Sequence, residues 1–159
     1  SGIWLSDGAT NVMPVPVHRG DDLTAEQQEQ NRRTVHGAWR LHFSDVRHSL
    51  AHGYYQGWDL HPAQLPTRYA AVYSFFMESI EPAGARLRAF MDQAATATLV
   101  GEVFDDAATG QGLLNSFLRA LNSGALTEQE ITDLTGLTVD ELRTRSFLRI
   151  LEGRRDALG

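Results

Sequence analysis

Residues 53–65 read Gly-Tyr-Tyr-Gln-Gly-Trp-Asp-Leu-His-Pro-Ala-Gln-Leu, and the fold prediction rests mainly on them. Gly53 ends a long helical pattern, because glycine readily takes the left-handed conformation that follows a helix. The short aromatic run after it is typical of a β-strand. Pro62 disfavours helical geometry at the residue before it, so we place His61 at the end of that strand. From Pro66 to Asp92 the apolar spacing again predicts helix.

A similar strand and helix precede this stretch. Residues 2–6 are a short apolar run that stops at Asp7-Gly8, a turn dipeptide, so the predicted strand ends at Asp7. Residues 24–52 carry apolar residues at steps of three or four behind Thr24, a suitable N-cap. Gly37 could divide this helix, and Pro82-Ala83-Gly84 predicts a break in the next one. Residues 1–92 therefore read as two consecutive β/α units.

In the rest of the chain, apolar spacing and capping motifs predict only helices. Residues 112–121 have an apolar face, and capping boxes begin at Thr127 and at Thr138. We therefore expect an α/β, mostly helical chain, in which residues 93–159 form a C-terminal helical extension. Two parallel strands alone would leave both sheet edges open, so further strands would have to come from elsewhere or from a second copy.

Composition excludes several classes of chemistry. There is no cysteine, and all fourteen basic residues are arginine. Without lysine the chain can supply neither a Schiff base nor a P-loop. The formal net charge of −6 disfavours nucleic acid as a partner. No leader peptide or membrane-spanning apolar run is evident, so we expect a cytoplasmic protein without a membrane partner.

Residues 53–65 resemble the last barrel strand of the aldolase family that includes the citrate lyase β-subunit and malyl-CoA lyase. In that family a helix ends at glycine, and a short strand runs into a His-Pro-x-Gln turn, here His61-Pro62-Ala63-Gln64. The stretch from Trp4 to Thr10 is similar to the preceding strand and its Asp-Gly turn. The resemblance covers roughly residues 2–80 and is closest to a bacterial branch. It implies the last two β/α units of a TIM-type (β/α)₈ barrel.

The resemblance also implies a function. The intact protein would be a Mg²⁺-dependent carbon–carbon lyase acting on a 2-oxo acid, a hydroxy acid or an acyl-CoA ester. The magnesium ligands would lie upstream of Ser1, so this chain would hold no metal and would be inactive alone. Its partners would be the substrate and either the missing N-terminal half of the barrel or a second copy. The expected substrate-binding residues are His61, Gln64 and Asp7, and Asp106 is the expected catalytic residue.

Two alternatives remain open from the residues themselves. His48 and His52 stand one helical turn apart near Asp45, a spacing that can bind zinc, although a solvated helix face explains it as well. Residues 127–151 resemble a helix-turn-helix whose second helix runs into Arg143, Arg145 and Arg149. That segment predicts a nucleic-acid-binding or protein-binding module as the alternative function.

Overall fold

The computed structural model describes residues 5–55, 57–99 and 107–157, and for residues 96–99 it describes the backbone alone. The described helices, in chain order, are α1 (Ala25–Ala51), a 3₁₀ turn (Pro62–Gln64), α2 (Leu65–Leu99), α3 (Ala107–Asn122), α4 (Glu128–Thr135), α5 (Val139–Thr144) and α6 (Phe147–Asp156). None of the described helices is both long and apolar enough to cross a membrane. The chain divides into two compact units, Ser1–Phe75 and Phe76–Gly159.

The α/β prediction was wrong. The described ranges contain no β-strand, and their only β-type backbone pairing is an isolated bridge at Ser6. The predicted strand over residues 54–60 is an irregular segment, and two of its backbone groups bond to side chains instead of to a neighbouring strand. The Leu60 amide donates to Gln64 Oε1, and the Trp58 carbonyl accepts from Arg68 Nη2. Side chains thus supply hydrogen bonds that a neighbouring strand would otherwise have supplied.

The described residues therefore do not form two units of a TIM-type barrel. The upstream strand prediction falls largely on residues 1–4, outside the described residues, and from residue 5 onward no strand continues it. In the family that the sequence resembles, the barrel carries the lyase chemistry. Because this fold is helical, it gives the predictions of lyase chemistry and of magnesium no support.

The first unit is built around α1 and the start of α2. Thr24 caps α1 with the predicted capping box, and α1 continues through Gly37 without division. Gly53 has a φ of +82°, as expected for a glycine that follows a helix. The core of this unit is small and apolar, and consists of Phe43, Val46, Leu50, Ala71, Val72 and Phe75.

The second unit packs the rest of α2 with four shorter helices. Both predicted capping boxes are present, at Thr127 and at Thr138, and Gly136 ends α4 in the left-handed conformation. The predicted break at Pro82 was wrong, because α2 runs through it. Packing around it holds the helix: Gly84 lies against Leu134, and Leu87 is fully buried. The fully buried side chains include Leu87, Leu114, Phe117, Ile131, Leu137, Leu142 and Phe147.

Candidate functional site

The His61-Pro62-Ala63-Gln64 turn is tightly organised. Pro62 begins a 3₁₀ turn, and His61 caps it by accepting the Ala63 amide on Nδ1 at 3.1 Å. Gln64 Oε1 accepts from the Leu60 and His61 amides, at 2.8 and 3.1 Å. The structure thus brings these two predicted site residues, His61 and Gln64, together in one capping box.

Gln64 is buried and fully bonded. Its side chain is 0% exposed, and its Nε2 donates to the Thr10 carbonyl at 3.0 Å. Through these bonds it ties the N-terminal segment to the turn that precedes α2. A substrate could reach this amide only if those bonds were broken, so the geometry gives Gln64 a structural role.

His61 is different, because one ring nitrogen remains available. Its Nδ1 accepts a hydrogen bond, so in the neutral ring the proton resides on Nε2. No residue in the described ranges bonds to that Nε2, and the residue is half-buried. His61 can therefore donate one hydrogen bond to an outside oxygen atom without losing its capping role.

Asp7 is bonded to α1 and has no described contact with His61. The Ser49 hydroxyl and the Gly8 amide both donate to it. The hydrogen bond from Ser49, followed by that from Gly8, lowers the pKa of the Asp7 carboxyl below its ordinary range. A stable carboxylate results at this position. Asp106, the expected catalytic residue, lies outside the described residues.

A cluster that the sequence analysis missed lies next to the turn. His42 on α1 is 1% exposed, and its Nε2 lies 2.9 Å from Asp59 Oδ1. Arg68 Nε lies 2.7 and 2.6 Å from the two oxygens of the same carboxylate. Thr67 Oγ1 lies 2.7 Å from His42 Nδ1. The cluster joins α1, the segment before the 3₁₀ turn, and the first turn of α2.

The spacing along α1 contained a signal for this cluster. The buried residues of α1 are Ala38, His42, Val46 and Leu50, each four positions after the last. A histidine within an apolar register of this kind must be buried, and a buried histidine needs polar partners. The spacing could thus have identified His42. Asp59, by contrast, lies in an irregular segment that has no such periodicity, and Arg68 follows that segment on α2.

Arg68 also borders a small cleft in the first unit. The cleft encloses about 30 Å³, room for about two water molecules. Its walls include Gly8, Thr10, Asp45, Ser49, Tyr54 and Gly57. A Cβ atom on Gly57 would lie 2.8 Å from Arg68 Nη1, so the glycine leaves room for the guanidinium.

The carboxylates of this unit do not fit a magnesium site. Asp7 and Asp45 accept from Ser49 and Thr10, and Asp59 accepts from an arginine and a histidine. Magnesium requires several oxygen ligands in near-octahedral geometry. Among the described residues, no group of three histidine or acidic side chains could hold a metal ion.

The histidine pair at the C-terminal end of α1 is also engaged elsewhere. The rings of His48 and His52 lie 4.2 Å apart, and His52 Nδ1 bonds to the His48 carbonyl. Asp45 accepts from Thr10. This geometry fits the interpretation as a solvated helix face.

The helix-turn-helix prediction fits only in part. The predicted second helix is short: α5 ends at Thr144, Arg145 takes a φ of +54°, and α6 begins at Phe147. Glu141 at the start of α5 is bonded by Arg154. The end of α5 and the turn into α6 thus separate Arg143, Arg145 and Arg149.

Comparison with known proteins identifies one family. No curated protein and no solved structure matches this chain. Residues 1–150 match the family model described as a domain of unknown function, DUF6986. Because that match spans 150 of the 159 residues, the chain belongs to the DUF6986 family.

Proposed function

We propose that this chain is an accessory, helical part of an enzyme that cleaves a carbon–carbon bond in a 2-oxo acid, a hydroxy acid or an acyl-CoA ester. The observation that carries the proposal is the His61 ring, which caps the turn with Nδ1 and keeps an Nε2–H for an outside oxygen. That turn, His61-Pro62-Ala63-Gln64, is the stretch on which the resemblance to the citrate lyase and malyl-CoA lyase aldolases rests.

Arg68 supports the same proposal. Every substrate in these classes carries a carboxylate, a carbonyl or a phosphate oxygen, and a guanidinium is the side chain best shaped to bind carboxylate or phosphate. Arg68 is held in place by Asp59 and by the Trp58 carbonyl, and its side chain is 24% exposed. A fixed, partly exposed cation at the cleft is suited to orienting an anionic substrate.

The chemistry itself would come from another part of the protein. As the resemblance implies, the acidic magnesium ligands would lie upstream of this chain, and the metal would polarise the carbonyl oxygen of the bound substrate. The residues described here would bind and orient that substrate. Alone, this chain is expected to have no cleavage activity.

The test is a cleavage assay on a protein that includes the upstream residues, with Mg²⁺ and a panel of 2-oxo acids, hydroxy acids and CoA esters. Arg68→Gln should lower kcat/KM by about 10- to 100-fold, because a charge-assisted hydrogen bond contributes roughly 1.5–3 kcal/mol. Arg86→Gln, an exposed arginine also on α2, is the matched control. Equal activity of the two variants, or cleavage by these 159 residues alone, would refute the accessory role.

The alternative function is a binding module formed by residues 127–151. Leu148 is 57% exposed, and Arg145 and Arg149 beside it are exposed too, which favours a protein partner. The N-terminus of α5 carries Asp140 and Glu141, which would repel nucleic-acid phosphates. Replacing Arg143, Arg145 and Arg149 together tests the nucleic-acid version. If low-salt nucleic-acid binding is found in the native chain and lost in the variant, the alternative replaces the lyase proposal.

A further inference from the structure

The outer face of α2 in the first unit carries no charge. From residue 65 to residue 75, the exposed residues of this helix are Leu65, Pro66, Tyr69, Ala70 and Tyr73. Leu65, Tyr69 and Tyr73 follow one another at steps of four, so they form one ridge along the helix. Their exposed fractions are 44%, 54% and 39%. We refer to these three side chains as the α2 ridge.

The opposite side of the same helix is buried. Ala71, Val72 and Phe75 belong to the apolar core of the first unit. A surface helix ordinarily turns charged and polar residues toward water, and a helix that is apolar on all sides is a buried helix. The helix α1 follows the ordinary pattern, since its exposed residues include Arg33 and Arg40. The start of α2 does not, so its outer face has the composition of a covered surface.

The other polar side chains of this stretch, at positions 67, 68 and 74, bond within the first unit. Thr67 Oγ1 donates to the Gln64 carbonyl at 2.9 Å, and Arg68 Nε donates to Asp59. Ser74 Oγ donates to a carbonyl of the preceding turn of α2 at 3.1 Å. The α2 ridge therefore offers a neighbour apolar surface and two tyrosine hydroxyl groups, a combination that is common at protein interfaces.

The two tyrosines of the ridge are arranged in advance for contact. The ring centroids of Tyr69 and Tyr73 lie 5.8 Å apart, and the rings meet edge to face at 73°. This is a favourable aromatic geometry, and it restrains both side chains. Because side chains that are already ordered lose little entropy on association, a partner would bind this ridge at a small entropic cost.

We infer that the α2 ridge is the contact through which two copies of this chain form a symmetric dimer. The chain carries a formal net charge of −6, so two copies repel each other, and this repulsion is smallest where a face has no charge. An uncharged face also complements itself, as a contact about a two-fold axis requires. Ridges of residues four apart interdigitate when two helices cross at about −50°, which places Tyr69, the middle member, near the axis.

The exposed area is sufficient for such a contact. Trp58 and Leu60 are 59% and 56% exposed. The Trp58 carbonyl accepts from Arg68, and the Leu60 amide donates to Gln64, so both residues lie beside the first turn of α2. About half of each of these two side chains and of the three ridge side chains is exposed, and each offers roughly 200 Å², so the face covers roughly 500 Å². Two copies would bury about 1,000 Å² in total, where specific but weak interfaces begin.

The test is the native mass of the full chain, measured by sedimentation equilibrium from about 10 to about 500 µM, the range in which a weak interface of this size dissociates. We expect the weight-average mass to rise with concentration from 17.6 kDa toward twice that value. The dimer is independent of the lyase chemistry proposed above, so no activity enters the test. A mass of 17.6 kDa at every concentration would overturn the dimer and leave the ridge to a different kind of partner.

A matched pair of charge variants tests the face. Tyr69→Glu places two like charges near the axis, so we expect the dissociation constant to rise by at least about 100-fold. Ser44→Glu, at an exposed position on α1, adds the same charge outside the ridge and should leave the dimer unchanged. A dimer that survives Tyr69→Glu, or one that both variants weaken equally, would contradict the assignment of the contact to this ridge.

A second ridge variant keeps the test decisive if circular dichroism shows that Tyr69→Glu is unfolded. Leu65 is the first residue of α2, and an acidic side chain is favoured at a helix N-terminus. Leu65→Glu therefore adds a charge to the ridge without weakening the helix, and it should raise the dissociation constant by at least about 10-fold. An unchanged dissociation constant in this folded variant would overturn the inference.

Discussion

A Cβ atom built on Gly110 would lie 2.5 Å from Cε1 of the Phe147 ring. Gly110 lies on α3 and Phe147 on α6, two helices in direct contact within the second unit. The Phe147 side chain is fully buried, so its ring cannot swing out into solvent to make room. The missing side chain of Gly110 is therefore what allows α3 and α6 to approach each other.

Gly110→Ala should destabilise the second unit. The added methyl group must displace the Phe147 ring or separate the two helices, and such overpacking costs about 1–3 kcal/mol. The free energy of unfolding in urea, followed by circular dichroism, measures the effect. Gly112→Ala on the same helix is the control, because no atom lies within 4 Å of its added Cβ. That substitution should stabilise the helix by about 0.5–1 kcal/mol. Equal effects at the two glycines would contradict the packing described here.

Gln64→Leu should destabilise the first unit by about 3 kcal/mol. The substitution leaves the buried Thr10 carbonyl and the part-buried Leu60 and His61 amides without their partner. An unpaired buried group costs about 1–3 kcal/mol, and a part-buried group costs less because water can reach it. Urea denaturation again gives the value. Gln129→Leu, at an exposed position on α4, should change stability by no more than about 0.5 kcal/mol. A similarly small loss at Gln64 would mean that its amide is not the structural link proposed here.

Two substitutions of His61 separate capping from substrate contact. Asparagine can still accept the Ala63 amide, so His61→Asn should keep the stability of the chain within about 0.5 kcal/mol. His61→Ala removes the cap and should cost about 1 kcal/mol. Thermal or urea unfolding distinguishes them. If both variants lost activity in the longer protein while His61→Asn stayed stable, the lost Nε2–H would be the cause. Full activity of a stable His61→Asn variant would contradict the substrate contact.

The ion pair of Glu141 and Arg154 should make the free energy of unfolding depend on pH in the acid range. Burial alone would raise the pKa of Glu141. Hydrogen bonds from Arg154 and from the Thr138 amide more than offset burial and hold this pKa below its ordinary value. The stabilisation is therefore fully present above the unfolded pKa of about 4.3 and is lost as pH falls through the lower folded value.

Glu141→Gln should flatten that dependence on pH. The measurement is the urea midpoint of unfolding at neutral pH and below about pH 4. Arg154→Gln should remove the same contribution, and the double variant should lose little more than either single one. Additive losses in the three variants would show that the two side chains act independently.

Local signals along the chain predicted the helix ends well. Thr24, Thr127 and Thr138 each begin a helix with the expected capping box, and Gly53 and Gly136 follow helices with positive φ. Capping depends on residues within four positions of each other, so a single sequence contains all the information needed. The extended segment after Gly53 had no such local determinant, and the strand predicted there was wrong.

Local sequence was thus enough to locate where most helices begin and which glycines follow them, because hydrogen bonds between near neighbours fix both. Three features came instead from tertiary packing: α2 continues through Pro82, Gln64 is buried as a link to Thr10, and His42 contacts Asp59 and Thr67. Those partners lie 17 or more positions apart in the chain for His42 and 54 apart for Gln64. Contacts at that distance form only when packing brings segments together, so periodicity and local propensity cannot reveal them.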